Sequence, residues 1–179
     1  RAAPLVNGKN SMRLPILLAA ALLLAALLAA CKKGPDPAIA AANLATGEAF
    51  LAKNKTAPGV VTLADGLQYK VVTSGPATGK SPKVRDEVKV HYEGKLLNGT
   101  VFDSSYERGM PASFPLDGLI PAWIEALQLM RPGDVWMLYV PPELGYGDAG
   151  AGDIPPNSTL IFKIELIGIL PAPGRIQQG

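Results

Sequence analysis

The chain has 179 residues, room for one domain of ordinary size with tails, and its 17 prolines and 19 glycines exclude a long-helix bundle or coiled coil. Net charge is +2, but Arg1, Lys9 and Arg13 all precede Cys31; beyond it 14 basic residues face 15 acidic ones, and a nearly neutral body with no basic stripe argues against a nucleic-acid partner. One Cys cannot form an internal disulfide, and one Cys with one His cannot build an ordinary zinc site, so no metal or cofactor is expected.

The first element in chain order is apolar. Leu14 to Ala30 reads LPILLAAALLLAALLAA, 17 residues without a charge, behind Met12-Arg13. A short basic stretch followed by an apolar run is the pattern of a secretory signal peptide, and a spanning helix usually needs about 20 apolar residues. The run ends Leu28-Ala29-Ala30-Cys31, which resembles the bacterial lipobox. Cys31 is therefore expected to carry a thioether-linked diacylglycerol, an anchor with more than one acyl chain. Lys32 follows it where an Asp would signal inner-membrane retention, so the expected location is the outer membrane, facing the periplasm. Residues 1 to 11 lack this character and are set aside.

From Cys31 to Gly66 the sequence predicts a tether. KKGPDP (32 to 37) is polar and Pro-broken, and the Ala-rich Pro37 to Lys53 predicts one helix interrupted by Gly47. That helix offers too little apolar surface to be a domain. The expected layout is 1–30 upstream residues and signal peptide, 31–65 lipid-anchored linker, 66–170 globular domain and 171–179 tail.

The body switches to period-two patterning near Val60. Strands are predicted at Leu67–Ser74, Val88–Glu93, Asp134–Val140 and Thr159–Ile169. Alternation sets Val88, Val90 and Tyr92 on one face and Lys89, His91 and Glu93 on the other, so His91 is expected to face solvent. Leu160, Phe162, Ile164 and Leu166 likewise share a face. Asn98-Gly99 predicts a turn. Only Pro121 to Met130 has a helical period, with Trp123, Leu127 and Met130 on one stripe, Pro121 suited to its first turn and Arg131-Pro132-Gly133 ending it. The fold class is α+β, an antiparallel sheet packed across one short helix.

Several motifs carry no chemistry. Gly145 to Gly150 matches GxGxxG, but Ala-Gly-Asp-Ile-Pro-Pro follows where a dinucleotide site needs a helix. Asn98-Gly99-Thr100 and Asn157-Ser158-Thr159 match glycosylation acceptors, which mean little in a lipobox protein. Ser104 and Ser105 lack triad partners, and Asp103 lacks metal-binding companions. What remains is an aromatic set: Tyr92, Phe102, Phe114, Trp123, Tyr146 and Phe162.

Four strings in this order, VHYEGKLLNGTVFDSS (90 to 105), LIPAWIEAL (119 to 127), PPELGYG (141 to 147) and IPPNSTLIFKIELI (154 to 167), resemble the FKBP-type peptidyl-prolyl isomerases across residues 66 to 170. The stretch 43 to 71 resembles the junction before the domain in the bacterial Mip-like branch. The resemblance implies a half-wrapped antiparallel sheet around one short helix, with a pocket between them. Trp123 would form the floor, Tyr92, Phe102 and Phe162 the walls, with Leu119 and Ile120 beside the prolyl ring and Phe114 and Ile154 also touching substrate. The Ile120 N–H and the Tyr146 hydroxyl would donate to substrate carbonyls, while Arg108 and Tyr92 would hold Asp103 at the rim.

The implied activity is rotation about X-Pro bonds of unfolded or folding polypeptides, with macrolides such as rapamycin as further candidate ligands. No bond is made or cut in that reaction, so no nucleophile is needed. Ala112 stands where the family often has a further aromatic. The turn from Leu116 to Trp123 is two residues shorter than in the human prototype, and the Gly147 to Pro155 loop is one residue shorter. These departures leave open a second reading, a lipid-anchored module that binds Pro-containing chains with little catalysis. The tether is much shorter than the dimerisation arm of long Mip-like proteins, so a monomer, or a weak dimer through residues 38 to 55, is expected.

Overall fold

The computed structural model describes residues 36 to 170. The expectations for Leu14–Ala30, for Cys31 and for the tail 171–179 lie outside the described residues. In chain order the elements are α1 (Pro37–Asn54), β1 (Val60–Thr62), β2 (Gln68–Thr73), β3 (Glu87–Leu96), β4 (Val101–Ser104), β5 (Ala112–Pro115), α2 (Pro121–Leu129), β6 (Val135–Val140) and β7 (Leu160–Leu170). Single 3-10 turns at Leu116–Gly118 and Pro142–Leu144 lead into α2 and out of β6.

All strands pair antiparallel in the order β1-β2-β6-β7-β3-β4, and β5 also pairs with β3. The ten-residue β3 serves two partners on one edge. Glu87 to Val90 pairs with β5, and Glu93 to Lys95 pairs with β4. The chain between them bulges out as residues 105 to 111, where Arg108 sits.

The period-two pattern explains the core. Val88, Val90 and Tyr92 of β3, Trp136, Leu138 and Val140 of β6, and Leu160, Phe162, Ile164 and Leu166 of β7 are buried on one sheet face. Against that face lies α2, burying Ala122, Trp123, Ala126 and Leu127, with Met130 just past its end. Burying each large apolar side chain contributes about 1.5–3 kcal/mol, so this contact between sheet and helix is the main source of stability. The α+β class read from the sequence is the observed one.

Two expectations need correction. α1 is not interrupted at Gly47 but runs unbroken from its Asp36 cap, whose carboxylate accepts from the Ala38 N–H, to Asn54. Gly47 is buried because the helix comes close to the sheet there; a Cβ at this position would strike Thr159 Oγ1. The helix packs on the sheet face opposite α2. Phe50 meets Tyr139 at 5.9 Å between ring centroids, Gln68 Nε2 donates to the Leu51 carbonyl (2.9 Å) and Asn54 Nδ2 donates to Gln68 Oε1 (2.8 Å). The segment read as a tether therefore contains a helix within the same compact unit as the sheet. Secondly, His91 is on the outer face, as alternation requires, but does not stand free in solvent. It is half-buried, with Nδ1 2.9 Å from Ser105 Oγ and its ring stacked on Tyr106.

Candidate active site

Between the curved sheet and the start of α2 lies a cavity of about 190 Å³. Its nine lining side chains arrive from several elements. Tyr92 and Phe162 occupy inward positions of β3 and β7, Phe102 and Asp103 lie on the short β4, and Phe114 is on β5. Leu119 and Ile120 form the extended turn into α2, and Tyr146 stands in the loop after β6. Pro121 at the first helical position fixes where α2 starts, so Trp123 points into the sheet within its first turn.

Trp123 is 4% exposed and meets its neighbours edge to face: Tyr92 at 5.1 Å and 83°, Phe162 at 5.3 Å and 82°, and Phe114 at 6.3 Å and 78°. Phe102 meets Phe162 at 5.7 Å and 84°. Edge-to-face contacts suit the ring quadrupoles and lock the rotamers, which gives an apolar box of fixed shape.

Its rim is polar. The Tyr92 hydroxyl donates to Asp103 Oδ2 (2.5 Å), and Arg108 donates to Asp103 Oδ1 and, from Nη2, to the Tyr92 hydroxyl (2.9 Å). Burial pushes the Asp103 carboxyl up, but the hydrogen bonds from Tyr92 and Arg108, with the Arg108 charge, hold it below the ordinary carboxylate value. Burial, reinforced by the bond to Asp103, raises Tyr92; burial, then the Asp103 charge, raises Tyr146. At neutral pH the rim therefore holds one carboxylate and two protonated phenols. The Tyr146 hydroxyl and the Ile120 N–H donate to no protein acceptor among the described residues, so the site has two open donors.

Nine of the eleven domain residues singled out in the sequence line this one cavity. Arg108 does not; it holds the rim from outside. Ile154 is buried and lines an adjoining groove of about 300 Å³, which shares Phe102, Asp103 and Tyr146 with the cavity. His91 lies on the other side of β3 from Tyr92. Among the described residues no group of three or more His, Cys, Asp or Glu is placed to hold a metal ion.

Two contributors were missed. Gly94 lies beneath the wall, where a Cβ would come within 2.6 Å of the Phe102 ring and 2.7 Å of the Phe162 ring. A glycine inside a strand often marks close approach, and that signal stood in VHYEGKL. The other is Ser105, buried, whose hydroxyl accepts from the Tyr92 N–H (2.7 Å).

A half-wrapped sheet, a short helix and an aromatic box beneath a Tyr-Asp-Arg rim together define the class. The chain belongs to the FKBP-type peptidyl-prolyl cis-trans isomerase family, whose model matches residues 78–167; a companion model, the domain amino-terminal to that isomerase, matches residues 18–71. The chain is similar to the peptidyl-prolyl cis-trans isomerase Mip of Coxiella burnetii, with 58% identity over 128 residues, 71% of this chain and 55% of that one. It is 51% identical to the outer membrane protein MIP of Legionella longbeachae over 128 residues, 71% of this chain and 54% of that one. The chain thus spans little more than half the length of these relatives. The crystal structure of FkpA from Escherichia coli superimposes with a TM-score of 0.73 and 42% identity, covering 88% of this chain and 71% of that one.

Proposed function

We propose that this chain is a peptidyl-prolyl cis-trans isomerase that binds proline-containing polypeptides with the prolyl ring over Trp123. The observation that carries this reading is the aromatic box set against a rim with two unoccupied donors. Rotation about an amide is opposed by a barrier of about 18–20 kcal/mol because it breaks resonance. In the twisted state the carbonyl is less polar, so a dry aromatic box favours it over the planar amide. The Ile120 N–H and the Tyr146 hydroxyl hold the carbonyls flanking the bond. Asp103, fixed by Tyr92 and Arg108, offers its remaining lone pairs to a donor on the substrate. A gain of about a thousandfold needs only about 4 kcal/mol of differential binding, within reach of such a set.

The same reading makes 66–170 the isomerase domain, makes macrolides such as rapamycin ligands of the box, and takes the chain as a monomer or weak dimer. Cys31 carries the lipid that holds the chain at the outer membrane, facing the periplasm. The LAAC sequence and the similarity to the outer membrane protein MIP of Legionella longbeachae support that location.

The test compares turnover with peptide binding in Asp103→Asn and Tyr146→Phe. Turnover falling well beyond affinity is the expected result. Equal losses in both assays would favour the binding module instead.

A further inference from the structure

We infer that α1 is a positioning element for the isomerase site, bracing the loop that carries Tyr146; the inference rests on the isomerase reading above. The loop joining β6 to β7 is long and contains no regular strand or helix beyond one 3-10 turn, yet it supplies Tyr146 to the cavity and Ile154 to the adjoining groove. Its neck is closed by a single backbone bond, Asn157 N–H to the Gly147 carbonyl (2.9 Å), one residue from Tyr146. Closing it requires Asn157 to take φ +53°, and it is the only non-glycine residue with positive φ among the described residues. Asn tolerates that region better than most residues, but an unsupported neck held by one bond opens readily.

The support comes from the first two turns of α1. Asn43 Nδ2 donates to the Pro156 carbonyl (2.8 Å), and Asn157 Nδ2 donates back to the Ala40 carbonyl (3.4 Å). Both residues on the far side of the neck are thus tied to a helix that is itself fixed to the sheet through Gly47, Phe50, Leu51 and Asn54. A cavity of about 160 Å³ bordered by Asn43, Thr46 and Pro155 lies at this junction, so hydrogen bonds rather than close packing join helix and loop. The path from Asn43 through Pro156, Asn157 and Gly147 reaches Tyr146 without passing through the aromatic box. Pre-ordering a binding loop lowers the cost of ordering it on a substrate.

The experiment uses the full chain in detergent micelles, with Asn43→Leu, which removes the donor at similar size, and Thr46→Ala as the control. Thr46 borders the same cavity but bonds only within its own helix, to the Ala42 carbonyl. Three readouts are taken: KM and kcat on a Pro tetrapeptide, amide exchange at Asn157 and Gly147, and thermal unfolding. In Asn43→Leu, KM is expected to rise about three- to tenfold with kcat within about twofold, the signature of lost uniform binding. Exchange at Asn157 should quicken while that at Tyr92 and Phe162 stays put, and Thr46→Ala should match the parent. Unchanged exchange at Asn157 would overturn the inference, and so would faster exchange with an unchanged KM. A parent chain with no turnover would defeat the isomerase reading instead, and the exchange data would still test whether α1 holds the loop.

Discussion

Tyr92 and Asp103 meet as diagonal neighbours across the β3–β4 pair, where Asp103 stands opposite Gly94 and receives the Tyr92 hydroxyl at 2.5 Å. Arg108 bonds both from outside the sheet, so one charged group fixes the geometry of a pocket wall and of the rim carboxylate. Replacing Tyr92 with Phe keeps the ring against Trp123 and removes the hydroxyl with its two bonds, one to Asp103 and one from Arg108. The expected loss in kcat/KM is about ten- to a hundredfold, the scale of a hydrogen bond to a charged group. Stopped-flow kinetics on a Pro tetrapeptide checks it, with circular dichroism showing that the fold is kept.

The same triangle sets an acid limit. The folded Asp103 carboxyl titrates below its ordinary 3.8, so its contribution to stability is complete above that pH and is lost as pH falls through the lower folded value. Thermal unfolding of the parent and of Asp103→Asn should therefore differ most above pH 4 and converge as the pH is lowered beyond 3.8. A difference independent of pH would show that Asp103 acts through packing alone.

Glu125 titrates in the opposite sense. A hydrogen bond to Asp65, then burial and the Asp65 charge, push it up from 4.5 to about 7. Its folded value lies above the unfolded one, so this stabilisation is present below pH 4.5 and disappears as pH rises through about 7. Glu125→Gln, which keeps a donor at every pH, should flatten the decline in melting temperature between pH 5 and pH 8 on the side of greater stability.

Gly94→Ala tests the box from beneath. The added Cβ has no room beside Phe102 and Phe162, so one or both rings must move. Overpacking of this kind costs about 1–3 kcal/mol, which a folded chain can survive. Activity should drop more than about tenfold as the wall shifts, with Trp fluorescence reporting the altered surroundings of Trp123.

Gly47→Ala makes the matching test on the opposite face. Alanine is the better helix former, by about 0.8–1.0 kcal/mol, so an isolated helix would gain from the change. Here the Cβ would strike Thr159 Oγ1, and the prediction is a lower melting temperature, by several degrees, restored in part by Thr159→Ala. A rise on Gly47→Ala would mean that α1 does not pack as described.

These tests fall on features of unequal visibility in the sequence. The long strands and α2 were legible to within one to three residues because alternation and a Pro start leave little choice. The aromatic residues could be assigned to the box through the strings around them. The short β4 and β5 were missed, since four residues such as VFDS and ASFP show no period and owe their strand geometry to pairing with β3. Gly47 was misread because glycine in an Ala-rich helix suggests a break, and only the approach of Thr159 explains it. His91 was placed on the correct face, but its partners Ser105 and Tyr106 come from a neighbouring segment and leave no local pattern. The bond from Asn43 to Pro156 spans 113 residues and has no local signature at all.

The most direct test of the central claim is relaxation of Ala-Leu-Pro-Phe from cis to trans in the presence of the full chain. The uncatalysed change takes tens to hundreds of seconds, so acceleration is easily read. We expect catalysis well above background, lost when rapamycin fills the box. A folded sample that binds the peptide yet leaves the relaxation rate at background would contradict the account.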